Sequence, residues 1–69
     1  MSFIITDNLS DLRLEGEDDE LASVIREDLE SYLDMHDVDV PLLLSYAEDE
    51  DFDYVSGVLS DAGFLLERS

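Results

Sequence analysis

"SFIITDNLSDLRLEG", residues 2–16, decides between two architectures for this chain. Ser2–Thr6 is rich in β-branched and aromatic residues, and Asp7–Asn8 is a good turn pair. Beyond the turn, Leu12 and Leu14 alternate with Asp11, Arg13 and Glu15, the period-two pattern of a half-buried strand. The stretch predicts a β-hairpin with its turn near Asp7–Asn8, ending where Gly16 breaks the alternation. Read as strands, these residues make the protein a small α+β domain. Without them the alternative is a small all-α bundle.

Helical signals follow. Over Asp18–His36, Leu21, Val24, Ile25, Leu29, Tyr32 and Leu33 keep helical spacing and form one apolar stripe. Asp18 and Asp19 stand at its start, where carboxylates cap free N–H groups and meet the positive end of the helix dipole. Glu20, Glu27, Glu30 and Asp34 lie on the opposite side, flanked by Asp28 and Asp37, and Arg26 has Glu30 within i+4 reach. "DVDVP" (37–41) ends this helix and opens another, Pro41–Glu48, with Asp39 as its cap and Leu42, Leu43 and Tyr46 or their neighbours as its buried face. A third helix takes Phe52, Val55, Leu59 and Ala62 inward, with Asp51 or Asp53 near its start, and Gly63 closes it in the left-handed conformation. "FLLE" (64–67) reads as a third strand beside the hairpin. The expected order is β-β-α-α-α-β in one domain, 1–69.

A chain of 69 residues buries only about 60% of its unfolded surface, so its stability is marginal. It has no cysteine, which removes disulfides and thiolate metal sites and suits the cytosol. Met1–Ser10 lacks a basic start and a long apolar stretch, so no signal peptide is expected. No apolar run approaches the roughly 20 residues that span a bilayer, so no membrane role is expected either. Charge dominates: twenty acids against three arginines give a net −17 with no lysine at all. Such an excess often marks disorder, but disordered chains are poor in apolar residues and this one is 45% hydrophobic. A folded domain with a largely unneutralised acidic surface is expected.

The densest acid run is "AEDEDFDY", residues 47–54, with five acids in eight positions. Read as a calcium loop from Asp49, it supplies Asp49, Asp51 and Asp53 at positions 1, 3 and 5. The glycine and the bidentate glutamate that the loop requires are replaced by Tyr54 and Ser60, so no dedicated metal site is expected. No cofactor is expected, since there is no Gly-rich phosphate loop and no lysine for a Schiff base or phosphate. Catalysis is equally unsupported: there is no thiol, and the one histidine, His36, reads as a partly buried or dipole-stabilised helix-end residue. An acyl-carrier reading fails because no serine stands in an Asp-Ser-Leu. The protein is expected not to be an enzyme. A surface at −17 also repels nucleic acid, so direct nucleic-acid binding is not expected. What it attracts is a protein built to bind nucleic acid.

Acids three or four residues apart on a helix recur about every 5 Å, close to the spacing of phosphates along one DNA strand. Glu20, Glu27, Glu30 and Asp34, continued by Asp37, Asp39 and the run Glu48, Asp49, Glu50, Asp51 and Asp53, are the candidate partner-binding residues. With "DDELASVIREDLESYLD" (18–34) and "AEDEDFDY" carrying so much charge on a foldable scaffold, the chain resembles the small acidic DNA-mimic inhibitors of phages and mobile elements, including anti-CRISPR and anti-restriction proteins. The resemblance covers the whole chain in size, charge and lack of cysteine. It implies a basic nucleic-acid-binding partner, such as a CRISPR effector subunit that reads the PAM or a restriction-type enzyme, met in the cytoplasm of a host cell. An immunity protein or antitoxin against a basic toxin is the second reading. A third is a halophile-adapted acidic interaction domain, in which the acid serves solvation. Neither composition nor pattern sets an oligomeric state.

Overall fold

The computed structural model describes residues 1–68. It is an α+β domain: an antiparallel sheet in the order β2-β1-β3, with helices packed on one face. Strand β1 (Ser2–Asp7) and β2 (Arg13–Glu17) form the N-terminal hairpin, and β3 (Phe64–Arg68) joins the other side of β1. The register sets Ile5 between Leu14 and Leu66, and Phe3 between Gly16 and Arg68. Phe3, Ile5, Phe64 and Leu66 are buried on the helical side, while Ile4, Thr6, Leu65 and Glu67 alternate onto the open face.

The hairpin turn is wider than a two-residue turn. Residues 8–12 connect the strands, and the Asp7 carboxylate organises them by accepting from Leu9 N (2.9 Å) and Ser10 Oγ (3.0 Å). Gly16 does not break the strand, as its sequence context suggests, but lies inside β2. A Cβ there would stand 3.1 Å from Phe3 Cζ and 3.2 Å from Val24 Cγ2, so the missing side chain is what lets the Phe3 ring lie against β2.

The first helix departs from a regular α-helix. It comprises a 3-10 turn (Asp18–Glu20), α1 (Leu21–Val24), a π turn (Ile25–Leu29) and α2 (Glu30–Asp34). Its fully buried residues are Leu21, Ile25, Leu29 and Leu33, whereas Val24 is half-buried and Tyr32 is 41% exposed. These four recur every four residues, and each such step overshoots a full α-turn by about 40°. One widened turn swings the stripe back onto the sheet. Asp37, at φ 60°, then ends the helix in the left-handed conformation, and Val38 N folds back to Leu33 O at 3.4 Å.

Helix α3 is Val40–Glu48, one residue longer at its start than Pro41 suggests, and Asp39 Oδ1 caps it by accepting from Leu42 N at 3.2 Å. Its buried residues are Val40, Leu43 and Ala47. Leu42, expected inside, is 44% exposed, because with Pro41 in the first turn the inward face falls on the Val40 side. Helix α4 (Phe52–Asp61) is capped by Asp51, whose Oδ1 accepts from Tyr54 N at 3.2 Å. Gly63, at φ 90°, turns the chain into β3, and its carbonyl accepts from Asn8 N at 3.3 Å, tying this corner to the hairpin. No helix of the described residues is long and apolar enough to cross a membrane.

Candidate functional site

No charged or polar side chain is buried among the described residues, so the charge lies on the surface. It is divided unevenly. Residues 18–61, the helical layer, carry fifteen acids and one arginine, a net −14. The strands and their connections carry five acids and two arginines, a net −3.

All eleven candidate residues are exposed. Glu20, Glu27, Glu30 and Asp34 lie along the first helix, and Asp37 and Asp39 lie in the α2–α3 connection. Glu48 ends α3, Asp49, Glu50 and Asp51 form the corner to α4, and Asp53 stands in the first turn of α4. Three of them accept from backbone N–H groups: Glu20 Oε1 accepts from Glu17 N at 3.0 Å, and Asp39 and Asp51 are the helix caps already described. Glu48 is ion-paired to Arg26 at 3.2 Å. Arg26 thus reaches across to α3 rather than along its own helix to Glu30, and the pair fastens the acidic corner beside the middle of the first helix.

The corner is shaped by its backbone. Glu50 adopts φ 56°, Glu50 N donates to Ala47 O (3.0 Å) and Asp51 N donates to Tyr46 O (3.1 Å), a Schellman closure with glutamate where glycine is usual. Tyr46 and Tyr54, which bracket the run, stack with ring centroids 3.8 Å apart and hold α3 to α4 at this point. The corner presents its acids next to others that the charge pattern alone did not select. Glu50 lines a depression of about 330 Å³ together with Met1, Glu17, Asp18 and Asp19. Asp18 takes Arg68 on Oδ2 at 2.7 Å, and the same guanidinium lies 4.1 Å over the Phe52 ring. Glu17 is 3.7 Å from the N-terminal ammonium.

Asp37 and Asp39 stand at the other end of α3, away from this depression. There Asp37 shares a hollow of about 220 Å³ with His36, Val38, Val58, Asp61 and Ala62. His36 is exposed rather than partly buried, with its ring edge-on to Phe64 at 6.0 Å. The candidate acids therefore form a layer with two ends, not a single file. Asp18, Asp19 and Asp61 belong to it as well, and Glu17, the last residue of β2, borders it. Asp18 and Asp19 had a signal in sequence, but one that read as helix capping; Glu17 and Asp61 are placed only by the packing of distant elements.

Four ion pairs engage four of the twenty acids among the described residues. Two of these, Arg13–Glu15 and Met1–Glu17, belong to the strand layer. Among the same residues no three His, Asp or Glu side chains are grouped to hold a metal ion. The arrangement can attract cations over a broad surface. Comparison with family models, curated proteins and solved structures gives no match to this chain.

Proposed function

We propose that this domain is an inhibitor that imitates nucleic-acid charge and occludes the DNA-binding surface of a basic protein. A CRISPR effector subunit that reads the PAM, or a restriction-type enzyme, is the kind of target that fits. The observation that carries the reading is the net −14 gathered on one helical layer over a complete apolar core. The long dimension of the molecule is 28 Å. Duplex DNA of that length carries about sixteen phosphate charges, close to the charge of the layer. Acid spent only on solvation has no reason to collect on one layer.

Competition tests this. In a gel shift with the target, the protein should displace DNA in proportion to inhibitor bound, and raised salt should weaken both complexes. Single changes such as Glu27→Gln should matter little, because exposed charge pairs contribute roughly 0–1 kcal/mol. Glu27, Glu30 and Asp34 changed together to Lys should abolish binding by setting like charges against a basic groove. If DNA and the protein occupy the target together, occlusion is wrong.

A further inference from the structure

The two edges of the sheet differ in kind. The β2 edge alternates exposed Arg13, Glu15 and Glu17, with Arg13 and Glu15 paired at 2.9 Å, a charged edge of the sort that discourages strand pairing. The β3 edge carries exposed charges only at its end, Glu67 and Arg68, and is uncharged over Phe64–Leu66. Its residues Phe64–Arg68 sum to zero charge, and Leu65 stands 45% exposed on the open face of the sheet.

The helix packed on β3 is α4, and between Asp53 and Asp61 it carries no acid. Gly57 and Ser60 are exposed there and Ser56 is half-buried, so its outer surface is small and uncharged.

We infer that the open β3 edge is the interface for a second copy of this chain, pairing β3 with β3 antiparallel into a six-stranded sheet. Charge selects the occupant. A basic ligand is drawn to the −14 helical layer, whereas two chains of −17 can approach only where neither presents its acids. Centred on Leu65, the register sets Leu65 against its own copy, Phe64 against Leu66 of the second copy, and Gly63 against its Glu67. No like charges face each other, and the half-exposed leucine is covered. The two-fold axis lies normal to the sheet, so both helical layers fall on the same side and the acidic surface doubles. The inference does not depend on the inhibitor reading.

Sedimentation velocity on the whole chain, from about 10 μM to about 1 mM, tests it. A species of twice the 7.8 kDa chain mass should appear with concentration. It should grow as salt rises from about 0.15 to about 0.5 M, because screening removes repulsion between like chains. That is the opposite sign to the salt response of a complex with a basic target, so the two readings fail separately. Leu65→Glu should raise the dimer dissociation constant at least about tenfold, with Leu42→Glu as an equal charge placed on α3 having little effect. Circular dichroism shows whether each variant is folded. Hydrogen exchange on the unaltered chain gives a check free of mutation: amides of β3 should gain protection with concentration and those of β2 should not. A monomer throughout the range at the higher salt, equal effects of the two substitutions, or concentration-independent exchange in β3 would overturn the inference.

Discussion

Glu50 pays for its position. At φ 56° its Cβ crowds the following carbonyl, a strain of roughly 1–2 kcal/mol that glycine would not feel. The chain uses glycine at the equivalent corner after α4, where Gly63 stands at φ 90°. Retaining glutamate in a strained conformation, exposed and beside Glu17, Asp18 and Asp19, is what a carboxylate kept for recognition would require. Glu50→Gly is therefore expected to stabilise the fold by about 1 kcal/mol in urea denaturation while weakening capture of the target. A substitution that leaves both stability and binding unchanged would show that the corner is neither strained nor functional. Asp39 and Asp51 call for a different replacement. Asparagine keeps each cap and removes only the charge, whereas alanine would also cost about 0.5–2 kcal/mol of stability.

At the scale of elements, the π turn makes the first helix one residue longer than a regular helix over the same path. Deleting exposed Asp28 removes that residue and leaves both halves of the stripe in phase, at spacings of four, three and four. The deletion should fold, with helical circular dichroism and a melting temperature close to the parent. Deleting Ser45 from regular α3 should instead throw Ala47 off the inward face set by Val40 and Leu43, and unfold the domain. Equal damage from both deletions would mean that the wide turn is not an insertion. This helix also shows where sequence reading stops. The strands, the helices and the cap Asp39 were legible because each is written in residues two to four apart. The sequence left Asp51 and Asp53 open for α4, and set Asp18 and Asp19 at the start of the first helix, where Glu17 is the N-cap. The stripe was legible too, but its four-residue interval fits an α-helix and a π turn about equally well. Gly16 read as punctuation because the ring that occupies its space, Phe3, lies thirteen positions away on another strand. The Arg26–Glu48 pair spans twenty-two positions, and its competitor Glu30 was nearer in sequence. As for the acidic layer, its members were plain from charge, but the meeting of Glu50 with Glu17, Asp18 and Asp19 was not.

For the molecule as a whole, the core must hold against −17 of self-repulsion spread over a chain whose long dimension is 28 Å. The core is continuous from Phe3 and Ile5 through Leu21, Ile25, Leu29 and Leu33 to Leu43, Val55 and Leu59, so folding at about 0.15 M salt is expected. Raising salt to about 0.5 M should add on the order of 1 kcal/mol, or about 4–8 °C in melting temperature for a domain of this size. Circular dichroism across a salt series measures it. A chain unstructured until salt is molar would instead support acid as an adaptation to brine.

The division into a −14 layer and a −3 layer makes the molecule an electric dipole as well as an anion. At physiological salt, potentials fade over about 8 Å, less than half of even the shortest dimension of the domain, 20 Å. An approaching cationic surface therefore senses mainly the layer nearest to it. Met with its strands forward, the protein is barely attracted. Met with its helices forward, it is drawn in. For a basic partner of the kind proposed, the resulting torque would turn it before any contact forms, so encounters would begin already aligned and charge would act on the association rate.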